Sequence, residues 1–295
     1  MRGPTAEGPP KLPLRTEACS CRSVDLPSGC HREDFTLRSY DLDWSGRVSL
    51  RAIGGFLQEA ARVHAELVGA GITKLEEQNL SWALHRMKID IVEEPGLKET
   101  VSVLTWASDS DRLYAYRDFE LCGQTGHVYV RATSGWVLFD IFERKARKLL
   151  EAFSGIQIPD RPRALTFSRK KPPELEKADL QRPFRVRMGD IDANGHTNNG
   201  RYMEWMVESI PSEIWGTHRL KSLEIVYREE CLYDDELMVE TQRMPGQDVF
   251  LHRTLRVRNG AELARGESRW VPAHKESLGD LLRRSSTPPP FLPST

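Results

Sequence analysis

The sequence lacks the features that mark membrane, secreted and nucleic-acid-binding proteins. No apolar run approaches the roughly 20 residues that a membrane-spanning helix needs, and residues 1–31 contain no apolar signal-peptide core. The formal net charge is -1, so the chain has no basic excess that would attract nucleic acid. The five cysteines are odd in number and follow no zinc-binding spacing, which predicts free thiols in a reducing compartment.

The features that are present are those of an ordinary globular protein. Hydrophobic residues make up 39% and charged residues 29% of the 295 positions, and this length favours about two domains. We expect a cytoplasmic location in a bacterial cell. A plastid location is the weaker alternative, because Glu7, Glu17 and Asp25 are atypical of a transit peptide. The sequence predicts no metal and no cofactor, and it leaves a homodimer open.

The first half of the chain predicts one long helix beside several antiparallel strands. Ser49 is placed to cap a helix whose apolar face includes Ile53 and Leu57. The predicted strands are Phe35–Tyr40, Trp82–Val92, Thr100–Trp106, Leu113–Leu121 and His127–Phe139. A long helix packed on such strands is typical of an α+β unit.

The second half of the chain repeats the first. The aligned pairs, in chain order, are Phe35 and Phe184, Asp41 and Asp190, Gly46 and Gly195, Ile53 and Tyr202, Glu94 and Glu230, Arg117 and Arg253, and Trp136 and Trp270. The gaps between matched blocks lie in predicted loops, where insertions are tolerated. An ordered series of this kind indicates an ancestral duplication and predicts two similar units whose sheets pair into one.

The residues able to do chemistry concentrate in one loop of the second copy. Thr197 or Asn198 would cap the helix that follows this loop, and a helix N-terminus stabilises developing negative charge. The loop contains Asn194 and His196, where the first copy has a serine and an arginine. The apolar positions match between the copies and these polar positions differ, so we expect the function to lie in this loop.

The same loop resembles that of a known family, the acyl-acyl carrier protein thioesterases of plants and bacteria. The similar segments are Asp190-x-Asp192-x-Asn194-Gly195-His196-x-Asn198-Asn199-x-x-Tyr202, Glu204–Pro211, Leu223–Cys231, Tyr116–Phe119 and Thr133–Val137. The resemblance spans about residues 32 to 273. It departs from the plant pattern at Met188-Gly189, where plant members carry a tryptophan and a small polar residue.

The resemblance implies an α+β fold with two tandem hotdog units, each a long central helix wrapped by an antiparallel β-sheet. It also implies that the protein hydrolyses fatty acyl-acyl carrier protein to free fatty acid and carrier protein, which ends chain elongation. The predicted divisions are a disordered tail (1–31), an N-terminal unit with the acyl pocket (32–155), a linker (156–182), a catalytic C-terminal unit (183–273) and a mobile tail (274–295).

The family pattern assigns catalysis to Asp192, Asn194, His196 and Glu230. Hydrolysis of a thioester needs an activated water or a nucleophile, an oxyanion stabiliser and a group that carries protons. The first three residues alternate, so in an extended segment they would project to the same side. Glu230, on a predicted strand, would be the base.

Two further residues stay open as candidates. Cys231 could be the nucleophile with His196 as its base, although neighbours on a strand point to opposite faces and Glu230 is favoured. Asp190 could take part in catalysis, but Asp41 occupies the matching position in the first copy. A turn-capping role for Asp190 is therefore equally expected.

The acyl chain and the carrier protein also lead to predictions. We expect the acyl pocket in the first copy, with walls drawn from Ile53, Leu57, Trp82, Leu84, Met87 and Trp106. Carrier proteins of this kind are generally acidic, so basic residues should surround the entrance. The best clusters are Arg144-Lys145-Ala146-Arg147-Lys148 and Arg169-Lys170-Lys171.

Three other functions are compatible with parts of the pattern. An acyl-coenzyme A thioesterase of the hotdog superfamily would use the same chemistry. A hotdog hydratase places its aspartate five residues before the histidine, whereas Asp190 and Asp192 precede His196 by six and four. A non-catalytic acyl-binding protein would be expected to lose the polar residues in both copies, yet the second copy keeps them.

Overall fold

The computed structural model describes residues 26–95, 99–149, 156–167 and 171–273. Its helices are α1 (Leu50–Leu67), α2 (Ile72–Glu76), α3 (Asn199–Glu208) and α4 (Ser212–Thr217). Its strands are β1 (Cys30–Thr36), β2 (Leu80–Ile91), β3 (Thr100–Ser110), β4 (Tyr114–Gly123), β5 (Val128–Asp140), β6 (Lys145–Arg147), β7 (Leu180–Arg185), β8 (His218–Tyr227), β9 (Glu236–Arg243), β10 (Val249–Arg256) and β11 (Glu262–Pro272). Most of the predicted N-terminal tail and the whole predicted C-terminal tail lie outside the described residues.

The strands form one antiparallel sheet in the order β1-β3-β4-β5-β2-β8-β11-β10-β9-β7, with β6 added beside β5. At its centre β2 pairs with β8, from Arg86 opposite Val226 to Asp90 opposite Ser222. Taken from either edge inward, the strand order is the same in the first half (β1–β6) and in the second half (β7–β11). The predicted continuous sheet is therefore confirmed, and the halves are related by a pseudo-twofold axis between β2 and β8.

The two long helices, α1 and α3, pack on the sheet within one apolar core that spans both halves. Ser49 and Asn198 accept hydrogen bonds from first-turn N–H groups at 3.1 and 2.8 Å, so both predicted N-caps are confirmed. The helices meet at Gly54, where an added Cβ would lie 3.1 Å from Met203 Cε. Within the described ranges, no helix combines the length and the apolar character needed to cross a membrane. The arrangement is α+β and hotdog-like, as predicted.

The loops before α1 and α3 repeat each other bond by bond. Gly46 and Gly195 both take the left-handed conformation, with φ of 77° and 79°, which glycine adopts without steric cost. The matching backbone hydrogen bonds are Asp43 N to Arg47 O at 2.7 Å and Asp192 N to His196 O at 2.8 Å, and Ser49 N to Asp41 O at 2.8 Å and Asn198 N to Asp190 O at 2.9 Å. The duplication therefore preserves the loop backbone while its side chains differ.

The strands confirm one predicted alignment and correct another. Trp136 Nε1 donates to the hydroxyl of the serine two residues earlier at 2.8 Å, and Trp270 does the same at 3.0 Å. In contrast, Arg117 points toward α1, where its Nη1 lies 2.7 Å from His64 Nδ1. Arg253 instead pairs with Glu240 on β9, on the other face of the sheet. The predicted equivalence of Arg117 and Arg253 is wrong, because alternate strand residues face opposite sides.

Residues 156–167, between the halves, cover the outer face of the first half. The guanidinium of Arg161 stacks over Trp106, 4.3 Å from the ring centroid, and Ala164 N donates to Asp118 at 3.0 Å. The predicted end of this linker also changes, because β7 already begins at Leu180. Pro183 fits within β7 because this strand is the edge of the sheet.

Candidate active site

The candidate site centres on the turn over residues 191–197, which we call the His196 turn. Ile191 and Thr197 form an isolated bridge, and Gly195 N donates to Asp192 O at 3.0 Å. The predicted loop is confirmed, but the extended segment that would project Asp192, Asn194 and His196 to one side is not formed, because the left-handed Gly195 closes it into a tight turn. The side chains of the turn are therefore arranged by its hydrogen bonds and not by strand alternation.

Asp192 holds this turn together. Its Oδ1 accepts a hydrogen bond from the Asn194 backbone N–H at 2.9 Å. The Asn194 side chain is exposed, and no hydrogen bond to the described part of the chain holds it. Asp192 is thus placed to orient the turn, and the Asn194 amide is available to a ligand.

Glu230 lies across from this turn and faces His196. His196 Nε2 is 3.3 Å from Glu230 Oε2, and the two side chains are 48% and 41% exposed. The strand β8 ends at Tyr227, so Glu230 is in the following loop and its predicted strand position is wrong. The pair nevertheless gives an accessible carboxylate beside an imidazole, which suits proton transfer from a water molecule.

A residue of the first half completes this arrangement. Arg144, in the turn between β5 and β6, places its Nη2 2.9 Å from Glu230 Oε1. The sequence analysis put Arg144 in a carrier-docking cluster and gave no sign of this contact. Arg144 and Glu230 lie in different halves, so only the assembled sheet brings them together.

Cys231 is enclosed and fully hydrogen-bonded. Its side chain is buried, its N–H donates to the Tyr202 hydroxyl at 2.9 Å, and its carbonyl accepts from Thr197 Oγ1 at 2.8 Å. Burial raises the pKa of the Cys231 thiol above its ordinary value. A neutral, enclosed thiol is a poor nucleophile, so burial rather than strand alternation is the reason to favour Glu230.

Asp190 has the contacts of a turn-holding residue. Its carboxylate is buried and accepts from Arg187 N at 2.9 Å, and Arg201 Nε lies 3.3 Å away. Burial alone would raise the pKa of Asp190, but the hydrogen bonds and charges of Arg187 and Arg201 bring it below its ordinary value. In the first half, Asp41 accepts from Arg38 N at 2.8 Å in the same way. Both copies therefore use this aspartate to hold the loop.

A cavity of about 260 Å³ lies between α1, the first-half sheet and the start of α3. Its first-half wall includes Leu57, Ala61, Leu84, Met87, Phe119 and Trp136. Its other end includes Asp190, Asp192 and the first turn of α3, so it joins apolar walls to the His196 turn. His196 and Glu230 lie outside its lining. Phe119 and Trp136 were not among the predicted wall residues. Strand alternation, which puts them on the same face of the sheet as Met87, could have suggested them.

Three of the six predicted wall residues lie elsewhere. Ile53 is buried in the shared core. Trp82 donates from its Nε1 to Ala70 O at 2.9 Å, against the loop after α1. Trp106 is on the outer face of the sheet under Arg161, because its parity on β3 is opposite to that of the core residues. We therefore retain only Leu57, Leu84 and Met87 as wall candidates. Within the described residues, no group of three or more His, Cys, Asp or Glu side chains is placed to hold a metal ion.

Comparisons with known proteins extend over nearly the whole described chain. The model of the acyl-ACP thioesterase N-terminal domain matches residues 29–156, and that of the C-terminal domain matches residues 174–272. The oleoyl-acyl carrier protein thioesterase 2, chloroplastic, of Arabidopsis thaliana is 31% identical over 281 residues, which cover 81% of this chain and 76% of that relative. The acyl-[acyl-carrier-protein] hydrolase FATB3, chloroplastic, of Cuphea viscosissima is 28% identical over 267 residues, 84% of this chain and 64% of that relative.

Solved structures give the same picture of the fold. An acyl-ACP thioesterase from Bacteroides thetaiotaomicron superposes with a TM-score of 0.75 at 26% identity, covering 82% of this chain and 98% of that one. The 12:0-ACP thioesterase from Umbellularia californica also gives 0.75 at 26% identity, covering 84% of this chain and 100% of that one. Similarity of this extent includes both halves and the loop that contains the His196 turn.

Proposed function

The chain belongs to the acyl-ACP thioesterase family, and from this membership we propose that it hydrolyses fatty acyl-acyl carrier protein to free fatty acid and carrier protein. Such a reaction ends chain elongation. The observation that carries the proposal is the accessible His196–Glu230 pair, whose turn also forms one end of an apolar cavity. The cytoplasmic location and the homodimer stay predictions.

The acyl chain would occupy the cavity beneath α1. Leu57, Leu84 and Met87 supply apolar surface there, and each buried methylene contributes about 0.8 kcal/mol. The thioester carbonyl would then lie at the end of the cavity that Asp192 and the first turn of α3 line. This placement sets the scissile bond beside the His196 turn.

In the proposed reaction, Glu230 accepts a proton from a water molecule, whose oxygen attacks the thioester carbonyl carbon. His196, 3.3 Å from Glu230, and the exposed amide of Asn194 would hold this water and the developing oxyanion. The N-terminus of α3 adds a favourable dipole. The carbon–sulfur bond breaks as the oxyanion re-forms the carbonyl double bond. The departing thiolate then takes the proton from Glu230.

The carrier protein would approach along the β5–β6 hairpin, next to Glu230. Lys145 and Lys148 are exposed there, as an acidic partner requires. Arg147 is tied to Asp140 by a 2.5 Å hydrogen bond, so it holds the hairpin and is not a free docking cation. Within the second predicted cluster, Arg169 and Lys170 lie outside the described residues.

Purified protein assayed with acyl carrier protein and coenzyme A thioesters of the same acyl group tests this proposal. We expect a higher kcat/KM on the carrier protein substrate, and a preference that falls as salt screens the lysines. An equal or higher kcat/KM on the coenzyme A thioester would favour the acyl-coenzyme A alternative. Binding of acyl chains without hydrolysis would favour the non-catalytic alternative. Fatty-acid profiling after expression in a bacterial host would report the chain lengths released.

A further inference from the structure

We propose that Arg144, which belongs to the first half, is a positioning residue for the Glu230 carboxylate of the second half. The inference rests on the proposed function and adds a residue that acts through the proposed base. It starts from the hairpin between β5 and β6. Among the described strands, β6 has no counterpart beside β11.

The two carboxylate oxygens of Glu230 have different partners. Arg144 Nη2 lies 2.9 Å from Oε1, and His196 Nε2 lies 3.3 Å from Oε2. One oxygen is therefore fixed by a guanidinium while the other faces the histidine. The Glu230 side chain is 41% exposed in a loop, so packing alone does not select its rotamer. A charge-assisted hydrogen bond from Arg144 supplies that selection.

The hairpin that presents Arg144 is itself held in place. The buried Asp140 carboxylate accepts from Glu143 N at 2.8 Å and from Arg147 Nε at 3.0 Å. Ile141 N donates to Asn79 O at 2.9 Å, which ties the start of the turn to the body of the first half. Arg144 adopts the left-handed backbone conformation with φ of 50°, which turns the chain back into β6. Arg144 thus extends from a fixed support.

The other groups around Glu230 act on its backbone or its neighbours. Arg256 Nη2 donates to the Glu230 carbonyl oxygen at 2.5 Å, and Arg256 Nη1 lies 3.1 Å from Glu229. Arg256 therefore fixes the main chain at this point, with Glu229 as its own partner. Among the described residues, Arg144 is the arginine that pairs with the Glu230 side chain.

Exposure makes a competing role for Arg144 testable. Arg144 is 70% exposed on the hairpin along which the carrier protein would approach, so it could serve docking instead. A positioning residue changes kcat on every thioester, whereas a docking residue changes KM on the carrier protein substrate alone. A small acyl-pantetheine thioester, which lacks the carrier protein, separates the two roles.

The experiment compares Arg144→Gln and Arg144→Lys on both substrates, with Arg182→Gln as the control. Arg182 is an exposed arginine paired with Glu208 at 3.4 Å, on the edge strand β7. We expect Arg144→Gln to lower kcat about tenfold to a hundredfold on both substrates, because the base loses its orientation. Arg144→Lys should recover a large part of the rate, and Arg182→Gln should match the wild type.

A double-mutant cycle with Glu230→Gln keeps the inference falsifiable if single-variant rates are affected by stability. If Arg144 acts through the carboxylate, its substitution should have little further effect once Glu230 is an amide. Full additivity in that cycle would overturn the proposal. So would an unchanged kcat on the pantetheine thioester with a raised KM for the carrier protein. Wild-type protein that hydrolyses neither substrate would instead refute the proposed function, which this design detects separately.

Discussion

Both halves of the molecule bring the same two loop positions close together, but the side chains at these positions differ in type and in exposure. In the second half, His196 and Glu230 are 3.3 Å apart, 48% and 41% exposed. In the first half, the aligned Arg47 and Glu94 are 3.5 Å apart, 11% and 20% exposed. Since the loop backbones match, both halves keep the geometry of the pair. Only the second-half pair is accessible to solvent.

Under the proposed function, this difference would confine the reacting groups to the second half. A histidine can gain or lose a proton near neutral pH, whereas an arginine keeps its proton. Burial raises the pKa of Glu94, while the charges of Arg47 and Arg219 oppose that change. Arg219 comes from the second half, so charged groups of both halves surround Glu94. An enclosed ion pair of this kind holds structure and does not reach a substrate.

The first half is nevertheless needed for the reaction. Its strands and α1 form the apolar wall of the cavity, and its hairpin carries Arg144 to Glu230. The duplicated chain thus separates two tasks that an identical pair of units would have to combine. Under the proposed function, one half would present the reacting groups, and the other would supply the acyl site and a support for the base.

Replacing Glu230 and Glu94 in turn is the most direct test of the difference between the two halves. Glu230→Gln keeps the shape of the side chain and removes the base, so we expect a loss of about 10²–10⁴ in kcat on an acyl carrier protein thioester. The matched variant Glu94→Gln should keep about the wild-type rate, because Glu94 is enclosed. Steady-state rates on folded protein measure both. Activity above about a tenth of wild type in Glu230→Gln would contradict the assignment.

Exchanging the residues that face these glutamates, His196 and Arg47, also tests the difference between the two halves. His196→Arg puts the first-half residue into the second-half turn, where it would form a fixed ion pair with Glu230 and keep its proton. We expect a loss of at least about 10² in kcat with the fold retained, measured by rates and circular dichroism. Arg47→His, the reverse exchange, should leave the rate near wild type. A second active site created by Arg47→His would show that accessibility is not what separates the halves.

The division of tasks predicts that chain-length preference responds to the first half only. Leu57→Trp fills part of the cavity, so kcat/KM on the longest accepted acyl chain should fall by about tenfold relative to shorter chains. Met206 aligns with Leu57 in the second half but is not among the residues that line the cavity, and Met206→Leu should leave the profile unchanged. Product profiles by mass spectrometry compare the two variants. An identical profile for Leu57→Trp and wild type would remove the cavity from the acyl site.

The sequence predicted those parts of the molecule that depend on local rules. Ser49 and Asn198 cap their helices through bonds to residues of the next turn, and the repeat implied that the two sheets would pair. The loop position of Glu230 was not predictable, because its strand ends where the chain turns back over Tyr202 and Arg256. The contact between Arg144 and Glu230 depends on the pairing of β2 with β8, which no local pattern encodes.

The acyl pocket was only partly predictable for a similar reason, because the sequence does not say which face of a strand lines it. Alternation along β3 separates Trp106 from its neighbours but does not say which face meets α1. The cover formed by residues 156–167 decides this, because Arg161 stacks on Trp106 from the other side. Residues 156–182 were predicted to be a linker, so nothing in the sequence indicated a cover over Trp106.

The smallest effect is expected for Cys231, which follows Glu230 where the first half has Pro95 after Glu94. Because the thiol is buried and its pKa is raised, little thiolate exists at neutral pH, and alkylation of the native protein should be slow. Cys231→Ala removes one buried sulfur and should lower kcat by less than about tenfold, far less than Glu230→Gln. Single-turnover kinetics with intact-mass analysis provide the measurement. A trapped acyl-Cys231 species, or an inactive Cys231→Ala beside an active Glu230→Gln, would replace the water mechanism with a covalent one.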